Sequence, residues 1–126
     1  MKDLKMERVK WIETKGKKFL HVDFSNLQPD EIVEEVEKAI EFIKNSGEKD
    51  ILMISDTTNS PTSPKSFTAV KRFGNETNPY VKKSATIGGK GMGIKRFSFR
   101  IYKAFIKREI ELVGSFDEAI EWLSKE

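Results

Sequence analysis

The sequence contains no cysteine and a single histidine, His21. Without cysteine the chain cannot form disulfides, thiolate metal sites or thiol nucleophiles. One histidine cannot build a multi-histidine metal centre, and it cannot supply both an acid and a base. Much of the common catalytic repertoire is therefore excluded, and we expect no cofactor and no metal.

Long apolar runs are also lacking. No stretch approaches the roughly 20 apolar residues that a bilayer span requires, and the chain opens with Met-Lys-Asp-Leu-Lys rather than an apolar secretion segment. Together with the lack of cysteine, this predicts a cytoplasmic protein that is not integral to a membrane.

The composition itself is that of a folded domain. The chain has 126 residues, of which 37% are hydrophobic and 34% charged, and it includes nine Phe, two Trp and two Tyr. A length within the common domain range of roughly 100–150 residues predicts a single domain over residues 1–126. The aromatic residues provide core material that disordered chains lack.

The charged residues are distributed unevenly along the chain. The net charge is only +3, yet residues 61–108 contain 12 basic residues and one acidic residue, whereas residues 21–60 contain three and ten. If the fold gathers these basic residues, they form a surface that faces an anionic partner.

Apolar periodicity and turn residues predict an α/β fold. Two short β-rich runs, 9–12 and 18–24, are typical of a hairpin, and the continuous apolar run 51–54 is typical of a central strand. Helices are predicted from Pro29 to about Asn45 and from Pro64 to near Gly74. Further elements are a strand at 83–87, a helix to about Lys107, a strand at 109–113 and a last helix. The order ββαβαβαβα predicts one mixed sheet of about five strands with four helices and right-handed crossovers.

The third and fourth predicted helices are amphipathic. The third carries an apolar stripe, and a basic stripe recurs at helical spacing on another side. The last helix has a capping box and is expected to bury four apolar residues. The apolar stripe is Ile94, Phe97, Ile101 and Phe105, the basic stripe is Arg96, Arg100, Lys103 and Lys107, and the buried residues are Phe116, Ala119, Ile120 and Leu123.

Four segments resemble the SpoIIAA-like proteins, small bacterial relatives of the STAS (sulfate transporter and anti-sigma-factor antagonist) domain. They are Phe-Leu-His-Val-Asp-Phe-Ser at 19–25, Ile-Leu-Met-Ile-Ser-Asp at 51–56, Lys-Ser-Ala-Thr-Ile-Gly at 83–88 and Glu-Ala-Ile-Glu-Trp-Leu at 118–123. The resemblance covers nearly the whole chain, and it rests on segments of the fold rather than on catalytic motifs.

The resemblance implies a non-catalytic regulatory or adaptor module that binds a protein or a small ligand. In the antagonist branch, a Ser or Thr after an Asp in the loop behind the central strand is phosphorylated, which turns partner binding off. The matching residues are Asp56, Thr57, Thr58 and Ser60, although Pro61 and Pro64 depart from the pattern. The alternative interpretation of these hydroxyls is local turn chemistry.

The glycine run at 88–93 is a second candidate site, for an anion. Backbone N–H groups at the start of a basic helix could hold an anion, with Gly89, Lys90, Gly91, Arg96 and Arg100 around it. The run has neither the P-loop ending nor the dinucleotide-binding spacing, so a plain strand-to-helix turn is the alternative.

The basic stripe and the residues around His21 are further candidates for binding or catalysis. The basic stripe, with Phe99 and Tyr102 nearby, could bind nucleic acid or an acidic membrane surface, or could simply be solvated. His21 is expected to be structural, and Asp23 and Asp56 are expected to anchor loops rather than to hold Mg²⁺.

The sequence therefore predicts a regulatory or adaptor module. Its expected partner is another protein, and a small anionic or apolar ligand is the next candidate. The alternatives are a carrier of a lipid or another apolar or anionic ligand, and a polyanion-binding protein that uses the basic helix. Nucleic acid is the less favoured partner, and the expected state is a monomer or a weak homodimer.

Overall fold

A computed structural model describes residues 8–61, 63–88 and 92–125. Five strands and four helices follow one another in the predicted order. They are β1 (Val9–Thr14), β2 (Lys17–Asp23), α1 (Pro29–Asn45), β3 (Ile51–Asp56), α2 (Pro64–Thr77), β4 (Val81–Ile87), α3 (Met92–Lys103), β5 (Glu109–Val113) and α4 (Phe116–Ser124). The predicted mixed α/β fold is confirmed.

The chain begins with a hairpin whose turn follows from two residues. Lys15 and Gly16 both adopt positive φ angles, 55° and 73°, which suits the two-residue turns that match strand twist. Thr14 pairs with Lys17 directly across this turn, and β1 and β2 run antiparallel from there. The hairpin supplies the one antiparallel strand of the sheet among the described residues.

Capping residues start the helices where the sequence predicts. The Gln28 side chain and Glu31 form a reciprocal capping box around Pro29 at the first turn of α1. Ser63 accepts a hydrogen bond from the N–H of Ser66 at the start of α2, and Ser115 does the same for α4. These caps satisfy backbone donors that would otherwise lack partners.

Strand order determines which helix covers which face. The sheet runs β1-β2-β3-β4-β5, and every pair beyond the hairpin is parallel. From β2 to β5, each new strand is added on the same side of the previous one, and parallel crossovers are right-handed. The crossover helices α1, α2 and α3 therefore all lie on the same face of the sheet. The helix α4 covers the opposite face.

Two apolar layers result. On the first face, Leu20, Val22 and Met53 pack under α1 and α2 around Phe73. On the second face, Phe19, Ile54 and Ala85 pack under α4 in a cluster that also contains Ile87, Val113, Ala119, Ile120 and Leu123. The strand β3 is central and contributes to both layers, as its continuous apolar run predicts.

Three sequence-based expectations are wrong in detail. The helix α2 continues past Gly74 to Thr77, and Gly74 serves instead as the point at which Ile106 and Tyr102 approach the helix closely. The helix α3 ends at Lys103 rather than near Lys107. Phe116 is 36% exposed instead of buried, since it lies in the first turn of α4 and contacts His21 at its edge.

Candidate ligand-binding site

The candidate site starts at the carboxyl end of β3, where Asp56 organises the loop that follows. Its carboxylate oxygen Oδ1 accepts hydrogen bonds from the backbone N–H of Thr58 at 3.0 Å and from the Thr58 hydroxyl at 2.6 Å. This is the local turn chemistry of an Asx turn. Asp56 therefore fixes the loop conformation through Thr58.

The neighbouring strand ends in the same way. Asp23 is the register partner of Asp56, and its Oδ1 accepts from the N–H and hydroxyl of Ser25 at 2.9 and 2.5 Å. Arg8 donates to the carbonyl oxygens of Asp23 and Ser25, and its guanidinium lies 3.6 Å from the Asp23 carboxylate. Both carboxylates thus anchor loops, as the sequence predicts.

Two other hydroxyls of the loop also bond to the protein. The Thr57 Oγ1 donates to the carbonyl of Ile87 at 2.9 Å, which ties the loop to the end of β4. Ser60 is only 6% exposed, donates to the carbonyl of Phe24 and accepts from the N–H of Leu27 at 3.0 Å. Phosphorylation at Ser60 would require this buried hydroxyl to come out of the protein.

Thr57 and Ser60 line a cavity of about 100 Å³ beneath the loop. The cavity lies between the first face of the sheet and the helices α1, α2 and α3. Apolar side chains from all of these elements line most of it. The lining residues are Ile32, Thr57, Ser60, Pro61, Ser66, Phe67, Val70, Thr86, Phe99, Tyr102 and Leu112.

Three of the hydroxyl-bearing residues in this lining bond to the protein rather than to the cavity. Thr57 and Ser60 bond as described above, and the Ser66 hydroxyl takes part in the cap of α2 with Ser63. Because these hydroxyls already have partners, they offer the cavity little beyond their carbon atoms. The wall favours an apolar occupant over a polar one.

The predicted anion site falls mostly outside the described residues, because Gly89, Lys90 and Gly91 are not among them. The described part of α3 places Arg96 and Arg100 in exposed positions. The residues of α3 that meet Thr57 at the cavity are instead Phe99 and Tyr102. These two aromatic residues therefore face the interior, and not a nucleic-acid surface.

His21 lies on the opposite face of the sheet, against the start of α4. Its ring meets that of Phe116 edge to face at 5.7 Å between centroids, and its Nδ1 is buried without a hydrogen-bond partner among the described residues. Burial lowers the pKa of His21, while Asp23 and Asp56 act in the opposite direction.

The described residues contain no group of three histidine or acidic side chains that could hold a metal ion. Asp23 and Asp56 come together as neighbours in the sheet, but their carboxylates already accept the loop hydrogen bonds. The structure gives this pair no third ligand within the described ranges.

A half-buried arginine joins the segment between α3 and β5 to the end of α2 and to β4. Arg108 donates to the carbonyl of Gly74, to the hydroxyls of Thr77 and Ser84 and to the side-chain oxygen of Asn78, at 2.8 to 3.3 Å. Burial lowers the pKa of the Arg108 guanidinium.

Tyr102 shares this environment. Its ring belongs to the apolar cluster of Ile106 and Ile110, and burial raises the pKa of its phenol. The burial of Tyr102 and the half-buried position of Arg108 were not predicted from the sequence, because both residues lie in a strongly basic segment that was interpreted as a surface.

Comparisons with known proteins agree with this architecture. No protein-family model matches the chain, and no curated protein matches it. Among solved structures, it is similar to an uncharacterised protein of the DUF3478 family from Shewanella loihica PV-4, described as having a SpoIIAA-like fold. The similarity covers 91% of each chain with a TM-score of 0.67 and 14% identity. The chain has a SpoIIAA-like fold.

At 14% identity the comparison concerns the SpoIIAA-like fold alone. That fold was predicted from the segments that include 51–56 and 118–123, and it is confirmed. Within the described ranges, the SpoIIAA-like domain has no helix of the length and apolarity needed to cross a membrane.

Proposed function

We propose that this SpoIIAA-like domain is a non-catalytic binding module whose ligand is a small apolar molecule. The observation that carries the proposal is the cavity beside Thr57, which is bounded by the central sheet and by α1, α2 and α3. Its volume of about 100 Å³ is of the order of the engineered apolar cavity of about 150 Å³ that takes up benzene or xenon.

The position of the cavity supports a binding role. Parallel sheets commonly bind ligands where the strand order reverses, but the order β1-β2-β3-β4-β5 contains no reversal among the described strands. The space, which is partly open to solvent, lies instead between the sheet and the helices. Its contact with Thr57 connects it to the loop after Asp56, through which a ligand could act on a partner.

The regulatory role that the resemblance implies remains a prediction. A partner protein, phosphorylation in the loop at Asp56 to Ser60 and an anionic ligand are separate expectations that the cavity does not address. A binding module with an apolar cavity is compatible with each of them. We propose the small apolar ligand first because most of the cavity lining is apolar.

Benzene, added to protein with labelled methyl groups, tests the proposal. We expect NMR chemical-shift changes at the methyl groups of Ile32, Val70 and Leu112, which line the cavity. Substitution Val70→Phe fills the space and should abolish these changes. The matched control is Val33→Phe, because Val33 is a half-buried valine of α1 outside the cavity lining.

The outcome is decisive in either direction. If wild-type protein shows no shift changes with benzene or xenon, the space is only a gap in packing and the proposal fails. It also fails if Val70→Phe leaves the shift changes intact while the variant remains folded. Native mass spectrometry of purified protein then asks whether an apolar molecule copurifies.

A further inference from the structure

The helix α3 has two apolar sides, of which only one is covered. Phe99 and Tyr102 face the cavity, and Ile106 continues the buried side after the helix ends. Ile101 and Phe105 instead expose 43% and 49% of their surfaces. They stand four residues apart, and the Phe105 N–H bonds to the Tyr102 carbonyl, so the helical turn continues and the two share one side.

Exposed basic residues occupy another side of α3 and the segment just after it, and one lysine of α2 reaches the uncovered apolar side. They are Arg96, Arg100, Lys103 and Lys107, and the Lys71 ammonium lies 4.3 Å from the centre of the Phe105 ring. We call Ile101, Phe105 and these five basic residues the α3 surface.

The acidic residues of α1 do not neutralise the α3 surface. Within the described ranges, their ion pairs to helices run to α2, where Lys65 meets Asp30 and Arg72 meets Glu37. The basic residues of the α3 surface form no ion pair with a described carboxylate. Among the described residues, the surface is therefore apolar and has no ion pair that offsets its charge.

We propose that the α3 surface docks onto an anionic membrane. Ile101 and Phe105 enter the boundary between headgroups and acyl chains, and the surrounding lysines and arginines contact lipid phosphates. Helices that lie in the plane of a membrane interface have the same combination, with apolar residues on one side and basic residues on another. Each cation near an anionic leaflet strengthens binding by about fivefold.

Charge and apolarity together favour a membrane over other partners. A second copy of the chain would bring two sets of unpaired cations face to face, which opposes self-association. Nucleic acid would attract the cations, but it would not bind the aliphatic side chain of Ile101. Sequence-independent binding of nucleic acid relies on ionic contacts and on stacking against aromatic rings. An acidic protein would need a matching apolar patch as well.

Vesicle sedimentation tests this docking surface on the full chain. We expect binding to phosphatidylcholine vesicles in which about a third of the lipid is phosphatidylserine, weak binding to pure phosphatidylcholine, and loss of binding as salt is raised. Phe105→Ser and Ile101→Ser should each weaken binding severalfold, and Lys103→Gln about fivefold. The cavity is unchanged by Phe105→Ser, so benzene binding should persist.

Matched controls come from the acidic side of the molecule. Phe42 on α1 is also 36% exposed, and Lys38 is an exposed lysine of the same helix. Phe42→Ser and Lys38→Gln should leave vesicle binding unchanged. All variants are checked by circular dichroism and thermal unfolding, and a folded variant is expected in each case because every substituted side chain is at the surface.

Three results would overturn the proposal. The first is no binding to the anionic vesicles, and the second is equal binding to both lipid compositions. The third is anionic binding that the α3 variants and the α1 controls reduce equally. Binding of polyuridylate that depends on Lys103 but not on Ile101 or Phe105, without vesicle binding, would identify a nucleic-acid surface instead.

Discussion

Asp23 and Asp56 are register partners at the carboxyl ends of β2 and β3, and each accepts hydrogen bonds from the N–H and hydroxyl of the residue two positions later. The two strands therefore end in the same turn, repeated side by side. This repetition orders the edge of the sheet at which the cavity residues Thr57 and Ser60 lie.

Removal of the Asp56 carboxylate should loosen the loop that follows β3. Asp56→Ala eliminates the acceptor of two hydrogen bonds to Thr58, and we expect a loss of about 1–2 kcal/mol in the free energy of unfolding. Asp56→Asn keeps a side-chain oxygen that can accept these hydrogen bonds, so this variant should lose less stability than Asp56→Ala. Urea unfolding measures both, and equal stability of Asp56→Ala and wild type would contradict the anchoring role.

The half-buried Arg108 is expected to contribute more to stability than the exposed Arg100 of α3. Arg108→Gln removes most of four hydrogen bonds and leaves buried acceptors unpaired, so a loss of about 2–4 kcal/mol is expected. Arg100→Gln makes the same substitution at an exposed position and should change stability by less than about 0.5 kcal/mol. If chemical unfolding shows similar losses for both variants, the interactions of Arg108 do not stabilise the fold.

His21 should make stability depend on pH near neutrality. Burial lowers its pKa in the folded protein, so the folded state binds the proton less tightly than the unfolded chain does. Its contribution is complete above the usual histidine pKa of about 6.5 and is lost as the pH falls through that value towards the folded pKa. Lys10, Asp23 and Asp56 are the charged neighbours that modulate the effect.

The test compares wild type with His21→Gln, which cannot titrate in this range. Thermal unfolding of wild type should show a fall in stability between neutral pH and about pH 5 that is smaller in the variant. Carboxylates titrate in both proteins, so the difference between the two profiles isolates His21. Parallel profiles would show that its protonation is not coupled to folding.

Much of the fold was predictable from the sequence because local patterns and global topology agree. The hairpin follows from the turn at Lys15 and Gly16, the helix starts follow from Pro29, Ser63 and Ser115, and the apolar run of β3 identifies the sheet centre. The position of Asp56 before a loop was predictable for the same reason.

The candidate site was less predictable, because it depends on how helices sit on the sheet. Periodicity predicts an apolar stripe that includes Ile101 and Phe105, but these two side chains are exposed, and Phe99 and Tyr102 face the cavity instead. The cavity arises from the spacing of α1, α2 and α3 above the sheet, which has no local sequence pattern. Arg108 is half-buried because polar groups at the end of α2 accept its hydrogen bonds, and no local sequence pattern predicts this.

The unbroken strand order has a consequence for how the chain folds. Every parallel strand joins beside the strand that precedes it in the chain, with only one helix in between. Each addition therefore closes a short segment, and the chain entropy lost per step stays small. The hairpin β1–β2 can serve as the first template, onto which β3, β4 and β5 assemble in the order in which a ribosome would release them.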